Sequence, residues 1–397
     1  MADRDGDGKV LLKLLFWASV GLVIYVYFGY PVLVDLLSRL RSGSHGPPRG
    51  DTHFPPVTVI IPARNEERWI RRKIENTLAL NYPHEKVQIV VASDGSDDGT
   101  VVIAGEFAER GVRVVAFPSR LGKQEMLNQL VPKATGEIIV ATDANTLLEP
   151  DVLRKLLCHF SNPRVGGATG RRVCIIQKQS APSVGEGLYW RYESWIKRSE
   201  SRLHSCLGAH GQLYAIRKSA FPHVEKVGED FFIPMKVIAT TGHRIVYEPK
   251  AVAAIPAAAN LRIEFERKTR AHVSFLLTLP MIRGLLVPWR SPVWWQLVSH
   301  HVLRMAAAPA LLLMLACSAI LAPANRFYLT IFLAEAVFIL LAAGGAFLAR
   351  YGLRPRPFYV PFYFLFTNAA LGLAWLRWPA RKYDFAWQRT ERLSDRS

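Results

Sequence analysis

VTVIIPARNEE at 57–67, VVASDGSDDGT at 90–100 and VATDANT at 140–146 decide the fold. Each run begins with β-branched residues, as in a strand buried on both faces, and each ends in small and acidic residues. VTVII (57–61), VQIVVAS (87–93), VRVVAF (112–117) and EIIVATD (137–143) read as strands, and the stretches between them carry helical spacing and charge. This alternation predicts an α/β domain with a mostly parallel sheet and helices on both faces. Such sheets bind ligands beyond the carboxyl ends of their strands, so Asp94 and Asp143 are expected to face one crevice. Taken alone, 94–99 reads equally as a Gly- and Asp-rich turn. Two acidic strand ends, each followed by small residues, fit that reading less well.

Working outward, both flanks are apolar. Residues 11–37 are long enough to cross a hydrocarbon core of roughly 30 Å at about 1.5 Å per residue. Lys13 and Asp35 lie near the ends, and no small-residue cleavage site of a signal peptide follows. RLRSGSHGPPRG (39–50) is basic and then rich in Gly, Ser and Pro, a linker whose Arg39, Arg41 and Arg49 favour the cytosolic side. In the C-terminal third, 297–322, 327–349 and 358–376 read as further spans. Residues 262–292 differ: a charged start gives way to SFLLTLPMIRGLLVPW (274–289), which reads as an interfacial element or as a buried soluble helix. The division expected is thus an N-terminal span and linker (1–50), a cytosolic α/β domain (51–260), an interfacial segment (261–292), about three spans (293–378) and a basic tail (379–397). Arginines in 350–356 and in the tail both prefer the inside, which three full crossings do not satisfy. Either 358–376 is re-entrant or interfacial, or the charge rule fails once.

Of 397 residues half are hydrophobic, which excludes a disordered or fibrous chain. Lys plus Arg is 50 against 32 Asp plus Glu, a formal net charge of +18 that suits anionic lipid or phosphate-bearing ligands. Many of the cations flank apolar segments and no nucleic-acid module is apparent, so nucleic acid is not an expected partner. The four cysteines (Cys158, Cys174, Cys206, Cys317) are scattered, which argues against a zinc site or a disulfide scaffold.

A crevice edged by carboxylates suits a nucleotide and a divalent metal. One carboxylate can accept from a base or ribose, and another can hold Mg2+ or Mn2+, hard cations that prefer oxygen. The metal then bridges a diphosphate as it leaves.

In order, VTVIIPARNEE, VVASDGSDDGT, LGKQEMLN (121–128), VATDANT, GQLYAIR (211–217), GED (228–230) and RKTR (267–270) resemble the membrane-bound family 2 glycosyltransferases, the group of cellulose, chitin, hyaluronan and poly-N-acetylglucosamine synthases. The resemblance covers roughly 57–270 and the flanking spans. It implies a GT-A nucleotide-sugar domain inserted between transmembrane helices of a multi-pass inner-membrane protein. It also implies an inverting hexosyltransferase that uses a UDP-sugar. Carried over, Asp94 contacts the uridine, Ala63, Asn65 and Glu66 form the nucleotide-contacting loop, and Lys123 lies near base and phosphates. Asp143 matches the first acid of the D-x-D metal motif, with Asn145 in place of the second. Asp230 matches the general base; Glu229 and Asp230 also read as helix N-terminal charge. Arg270, in Arg267-Lys268-Thr269-Arg270-Ala271, would stabilise the leaving diphosphate, and Arg267 would contact the donor or, with Lys268, lipid head groups. Ala271 stands where the family has a tryptophan bordering the acceptor.

The function expected is sugar transfer to a polysaccharide in exopolysaccharide biosynthesis, with membrane lipids around the spans and room for partner subunits of a biosynthetic complex. One alternative is a lipid glycosyltransferase acting on a polyprenyl or ceramide-like acceptor; another is an inactive scaffold that binds nucleotide. His300 and His301 read as structural, Glu335 as facing other helices, and the cluster Tyr189, Trp190, Tyr192 and Trp195 as core packing or a sugar-stacking face.

Overall fold

The computed structural model describes residues 2–41, 54–175, 184–225, 227–256 and 261–379. Most of the linker, with Arg49, and the tail from 380 lie outside the described residues.

Among the described residues eight strands form one mixed sheet: β1 (Val57–Ala63), β2 (Val87–Asp94), β3 (Val112–Phe117), β4 (Ile138–Ala141), β5 (Leu147–Leu148), β6 (Val165–Ile175), β7 (Tyr214–Arg217) and β8 (Arg244–Pro256). Their order is β3-β2-β1-β4-β7-β6-β8-β5. β1 pairs in parallel with β2 and β4, and β2 with β3, so the four expected strands make the parallel half. β7 enters antiparallel between β4 and β6, and β6 then runs parallel to β8. Every residue of β1 is buried, as a central strand covered on both faces requires.

Helices α3 (Glu67–Leu78), α4 (Thr100–Gly105), α5 (Lys123–Leu130) and α6 (Val152–Leu157) connect the strands. On one face Ile70 and Ile74 of α3 pack with Val59, Ile61 and Val91. On the other, Met126, Leu127 and Leu130 of α5 cover Ile60, Val90 and Ile139. The period-2 alternation of the strands thus feeds two cores, one on each side of the sheet.

A third core joins this domain to the rest of the chain. Phe232, Ile233 and Val237 of α8 (Glu229–Thr241) and Val273, Phe275 and Leu276 of α9 (Leu261–Thr278) meet Leu371 near the C-terminus. Helix α7 (Val184–Leu203) packs against β8. After α9, the 3-10 segment Leu279–Leu286 buries Ile282 and Leu285 yet leaves Met281 exposed, and Trp289 just beyond it is 83% exposed.

At the N-terminus α1 (Ala2–Ile24) and α2 (Tyr30–Leu40) run on through a π-helical turn, Tyr25–Gly29. At the C-terminus come α10 (Ala307–Leu321), α11 (Arg326–Arg350) and α12 (Arg356–Arg377). Among the described residues four stretches are long and apolar enough to cross a membrane: Asp7–Leu40, Ala307–Ala324, Arg326–Arg350 and Arg356–Arg377. The span expected at 297–322 starts later. Residues Leu297–Val302 form a π-helical turn that belongs to the domain junction, because its polar residues are held by α7. Gln296 Nε2 donates to the Glu200 and Ser205 carbonyls at 3.2 and 3.0 Å, and His300 Nδ1 lies 2.8 Å from Glu200 Oε1. The stretch at 358–376 is part of one continuous helix through Pro361, and Tyr27 Oη donates to its Asn368 at 2.6 Å. Glu335 of α11 accepts from Ser318 of α10 at 2.5 Å, the helix-facing role expected of it.

Candidate active site

The strand ends converge as the sequence requires, and LGK at 121–123 shows how. Asp94, the last residue of β2, is fully buried. Its Oδ1 accepts from the backbone N–H groups of Leu121 and Gly122 at 2.6 and 3.0 Å. Gly122 reaches this geometry at φ 87°, a region open to glycine and strained for other residues. The next residue, Lys123, opens α5 and sends Nζ 2.7 Å to Asp143 Oδ1, 3.1 Å to the Gly211 carbonyl and onto the Glu229 carboxylate. One tripeptide therefore ties the two acidic strand ends together.

Beside it two loops interlock. Asn65, at φ 51°, accepts from the Asp97 N–H at 3.1 Å, and its own N–H donates to Ser96 Oγ at 3.2 Å. The Glu66 N–H donates to Thr100 Oγ1 at 2.8 Å. Ala63 lies opposite Ser93 in the parallel register. This crest of Ala63, Asn65, Glu66 and Asp94 is contiguous with the central cavity but does not line it.

The cavity has a volume of about 320 Å³ and is lined by Lys123, Asp143, Asn145, Glu229, Asp230, Arg267 and Arg270, among others. All ten of the anticipated residues and their neighbour Glu229 thus fall into two adjoining groups, with Lys123 at the seam. Arg267 and Arg270 come from α9, far along the chain, and line the same cavity as the acids. Gly211 separates Asp230 from Glu229: a Cβ at Gly211 would stand 2.6 Å from Asp230 Oδ1 and 2.8 Å from Glu229 Oε1. The Ala209 N–H donates to the Asp230 carbonyl at 2.7 Å, which locks this hairpin to the start of α8.

Burial dominates the electrostatics. It pushes the Glu229 carboxyl up to about 7, against the pull of Lys123 and with the help of Asp230 and Asp143. It raises Asp230 as well, opposed by Lys123 and Lys197. Burial alone would lower Lys123, but Asp143 and Glu229 outweigh it and hold the amine cationic. A carboxyl raised toward neutrality beside a fixed cation is the condition under which a base can accept a proton.

For a divalent metal the fit is specific and limited. Among the described residues no three His, Cys, Asp or Glu side chains make a cage. Asp143 and Asn145 instead offer one carboxylate and one amide oxygen on the same wall. That oxygen set suits a hard cation that completes its shell with substrate phosphates and water.

Sequence reasoning missed part of the wall. Glu193, Lys197 and Glu200 are buried on one face of α7, and Trp190 joins the first two on the cavity side. Their spacing of three and four residues was the available signal. His210, His272, His300, His301 and Arg304 also reach the cavity. His300 is ion-paired to Glu200 and to Glu193, and His301 packs against the rings of Phe231 and Phe275.

Residues 58–224 match the glycosyl transferase family 2 signature. The chain is 25% identical over 219 residues to a beta-monoglucosyldiacylglycerol synthase of Trichormus variabilis, covering 54% of this chain and 46% of that protein. It is 27% identical over 203 residues to a poly-beta-1,6-N-acetyl-D-glucosamine synthase of Staphylococcus aureus, covering 49% and 48%. The chain thus matches about half the length of each of these curated relatives. A solved mannosyltransferase of Pyrobaculum calidifontis, in complex with GDP-Man and Mn2+, superposes with a TM-score of 0.70 at 25% identity over 93% of this chain and all of that one.

Proposed function

Because this chain carries a family 2 glycosyltransferase domain, we propose that it moves a sugar from a nucleotide-sugar donor, UDP-linked, to a polysaccharide or lipid acceptor at the cytosolic face of a membrane. One observation supports this above the rest: Asp143 and Asp230 line a single cavity, joined through Lys123 and Gly211, and Arg267 and Arg270 line it too. The reading assigns each group a task. Lys123, Arg267 and Arg270 neutralise the diphosphate. Asp230 takes the acceptor hydroxyl proton as the sugar–phosphate bond breaks, which gives inversion in one displacement. Asp143 and Asn145 would hold Mg2+ or Mn2+, whose chemistry when bound is to offset charge on the departing diphosphate. The Asp94 crest would receive the nucleoside. The mannosyltransferase of similar fold, solved with GDP-Man and Mn2+, lends support for a nucleotide sugar and a divalent metal.

For the acceptor, exopolysaccharide assembly is the first reading. A lipid acceptor is the second, supported by Met305 and Leu371, which reach the cavity from the junction with the apolar helices, and by the small Ala271 on its wall. The test is incubation of the purified protein with Mn2+ and radiolabelled UDP- and GDP-sugars, sorting products into lipid-soluble, polymeric and free fractions. Label in either product fraction from UDP donors supports the proposal and separates the two acceptors. Absence of transfer from every donor, with nucleotide still bound, would favour a scaffold.

A further inference from the structure

The cations that line the cavity beyond Lys123 and the two α9 arginines, Arg267 and Arg270, are not equivalent. The Arg304 guanidinium lies 2.6 Å from Glu193 Oε1. Arg172 stacks on Trp190 at 3.9 Å from the ring centroid, and Lys268 on Tyr189 at 3.9 Å. Each of these charges is offset by an anion or a π face. Lys197 differs. It is only 8% exposed and lines the cavity, and among the described residues no carboxylate stands within 4.0 Å of its Nζ. Its hydrogen bond is to His210 Nε2, at 3.2 Å. That imidazole is held neutral by burial and by the Lys197 and Arg172 charges, so it accepts from the amine without offsetting its charge.

An ammonium buried with no carboxylate in direct contact, only the longer-range pull of Asp230, is costly, and a cavity wall is where a ligand can supply a closer charge. The position is also telling. His210 follows Ala209, whose N–H is bonded to the Asp230 carbonyl, and precedes Gly211, which packs on the Asp230 carboxylate. On the donor side Lys123 is already matched by acids, Asp143 and Glu229. Resting on the glycosyl-transfer reading, we propose that Lys197, with His210 beneath it, is the subsite for an anionic group carried by the acceptor, a phosphate or a carboxylate, beside Asp230. The subsite gives the acceptor a second point of attachment and selects a charged acceptor over its neutral counterpart.

The experiment is a binding titration of the full detergent-solubilised chain, with and without UDP and Mn2+, using two matched probe pairs. Citronellyl phosphate against citronellol represents a lipid-borne phosphate; glucuronate against glucose represents a sugar-borne carboxylate. In the wild type one charged probe should bind at least about tenfold more tightly than its neutral partner, as for a hydrogen bond to a charged group, and UDP should not displace it. Lys197→Met should erase the difference, and Lys197→Arg should retain most of it. The pair that responds identifies whether lipid or sugar carries the charge. Equal binding of charged and neutral probes in the wild type overturns the proposal, as does a difference that survives in Lys197→Met. A melting curve and the UDP affinity of each variant report folding. Failure of the wild type to bind UDP would sink the donor reading while leaving the anion comparison intact.

Discussion

Lys73 Nζ lies 2.9 Å from Thr142 Oγ1 and 2.7 Å from the Thr146 carbonyl oxygen, so one buried amine grips both ends of the loop that bears Asp143 and Asn145. Asn76, one turn later on α3, brackets Leu148 with bonds of 2.8 and 2.9 Å to its N–H and carbonyl. The acidic loop is therefore set by the helix that follows β1 as well as by its own strand. Lys73→Met should keep the fold and raise the Mn2+ concentration for half-maximal transfer by about tenfold or more, the usual cost of losing an outer support of a metal ligand. An unchanged Mn2+ requirement would show that the loop holds its shape without the amine.

Asp143 is one of the two residues that would hold the metal, so its loss should be felt in donor binding first. Asp143→Ala should weaken Mn2+-dependent UDP binding by about tenfold to a hundredfold and make the residual binding insensitive to chelator. It also removes one of the two carboxylates on Lys123, leaving Glu229 as its partner. Titration of UDP with and without chelator checks this; an identical chelator response in wild type and variant would reject the metal role.

How much of this was legible in sequence follows from what is local. The hydrophobic period set β1 to β4, and acidic residues at strand ends set the edge where Asp94 and Asp143 meet. The ordered motifs brought in Asp230, Arg267 and Arg270. What sequence did not disclose depends on contacts far along the chain. Residues 297–306 read as the start of a span in sequence, yet His300 and Arg304 are held by Glu193 and Glu200 on α7, a hundred or more positions away. Lys73 reads as a surface lysine on a charged helix until the loop at 142–146 closes over it. Lys197 reads as one more cation in a basic helix until its face is found to be the buried one.

The junction charges should show in stability against pH. Burial opposes protonation of His300, but Glu200 and Glu193 outweigh it and raise its pKa to about 9. A folded value above the ordinary one of about 6.5 adds stability that is full below pH 6.5 and lost as pH climbs through 9. Lys73 acts in the opposite sense. Burial lowers it to about 7, so its penalty is present at neutral pH and is relieved between about 7 and 10.5. The two slopes partly cancel in the wild type. Thermal melts from pH 6 to 9.5 should show His300→Gln losing less stability with rising pH than the wild type, and Lys73→Met losing more. Parallel curves for the wild type and His300→Gln would remove the ion pair from the account.

Gly211 and Asp230 offer the sharpest test of the base. Asp230→Asn keeps the volume and removes the proton acceptor, so transfer should fall by about 10² to 10⁴ while UDP affinity stays close to that of the wild type. Equal loss of UDP binding would count against the assignment. Gly211→Ala probes position rather than charge. Its Cβ would fall 2.6 Å from Asp230 Oδ1 and 2.8 Å from Glu229 Oε1, closer than a Cβ can stand, so the carboxylates must shift. A displaced base should lower kcat by about tenfold to a hundredfold with donor KM little altered. If displacement of Asp230 is the whole effect, adding Gly211→Ala to Asp230→Asn should cost almost nothing further, because a base that is already absent cannot be misplaced. Losses that multiply in the double variant would mean that Gly211 serves the reaction by another route, through the carbonyl it offers to Lys123.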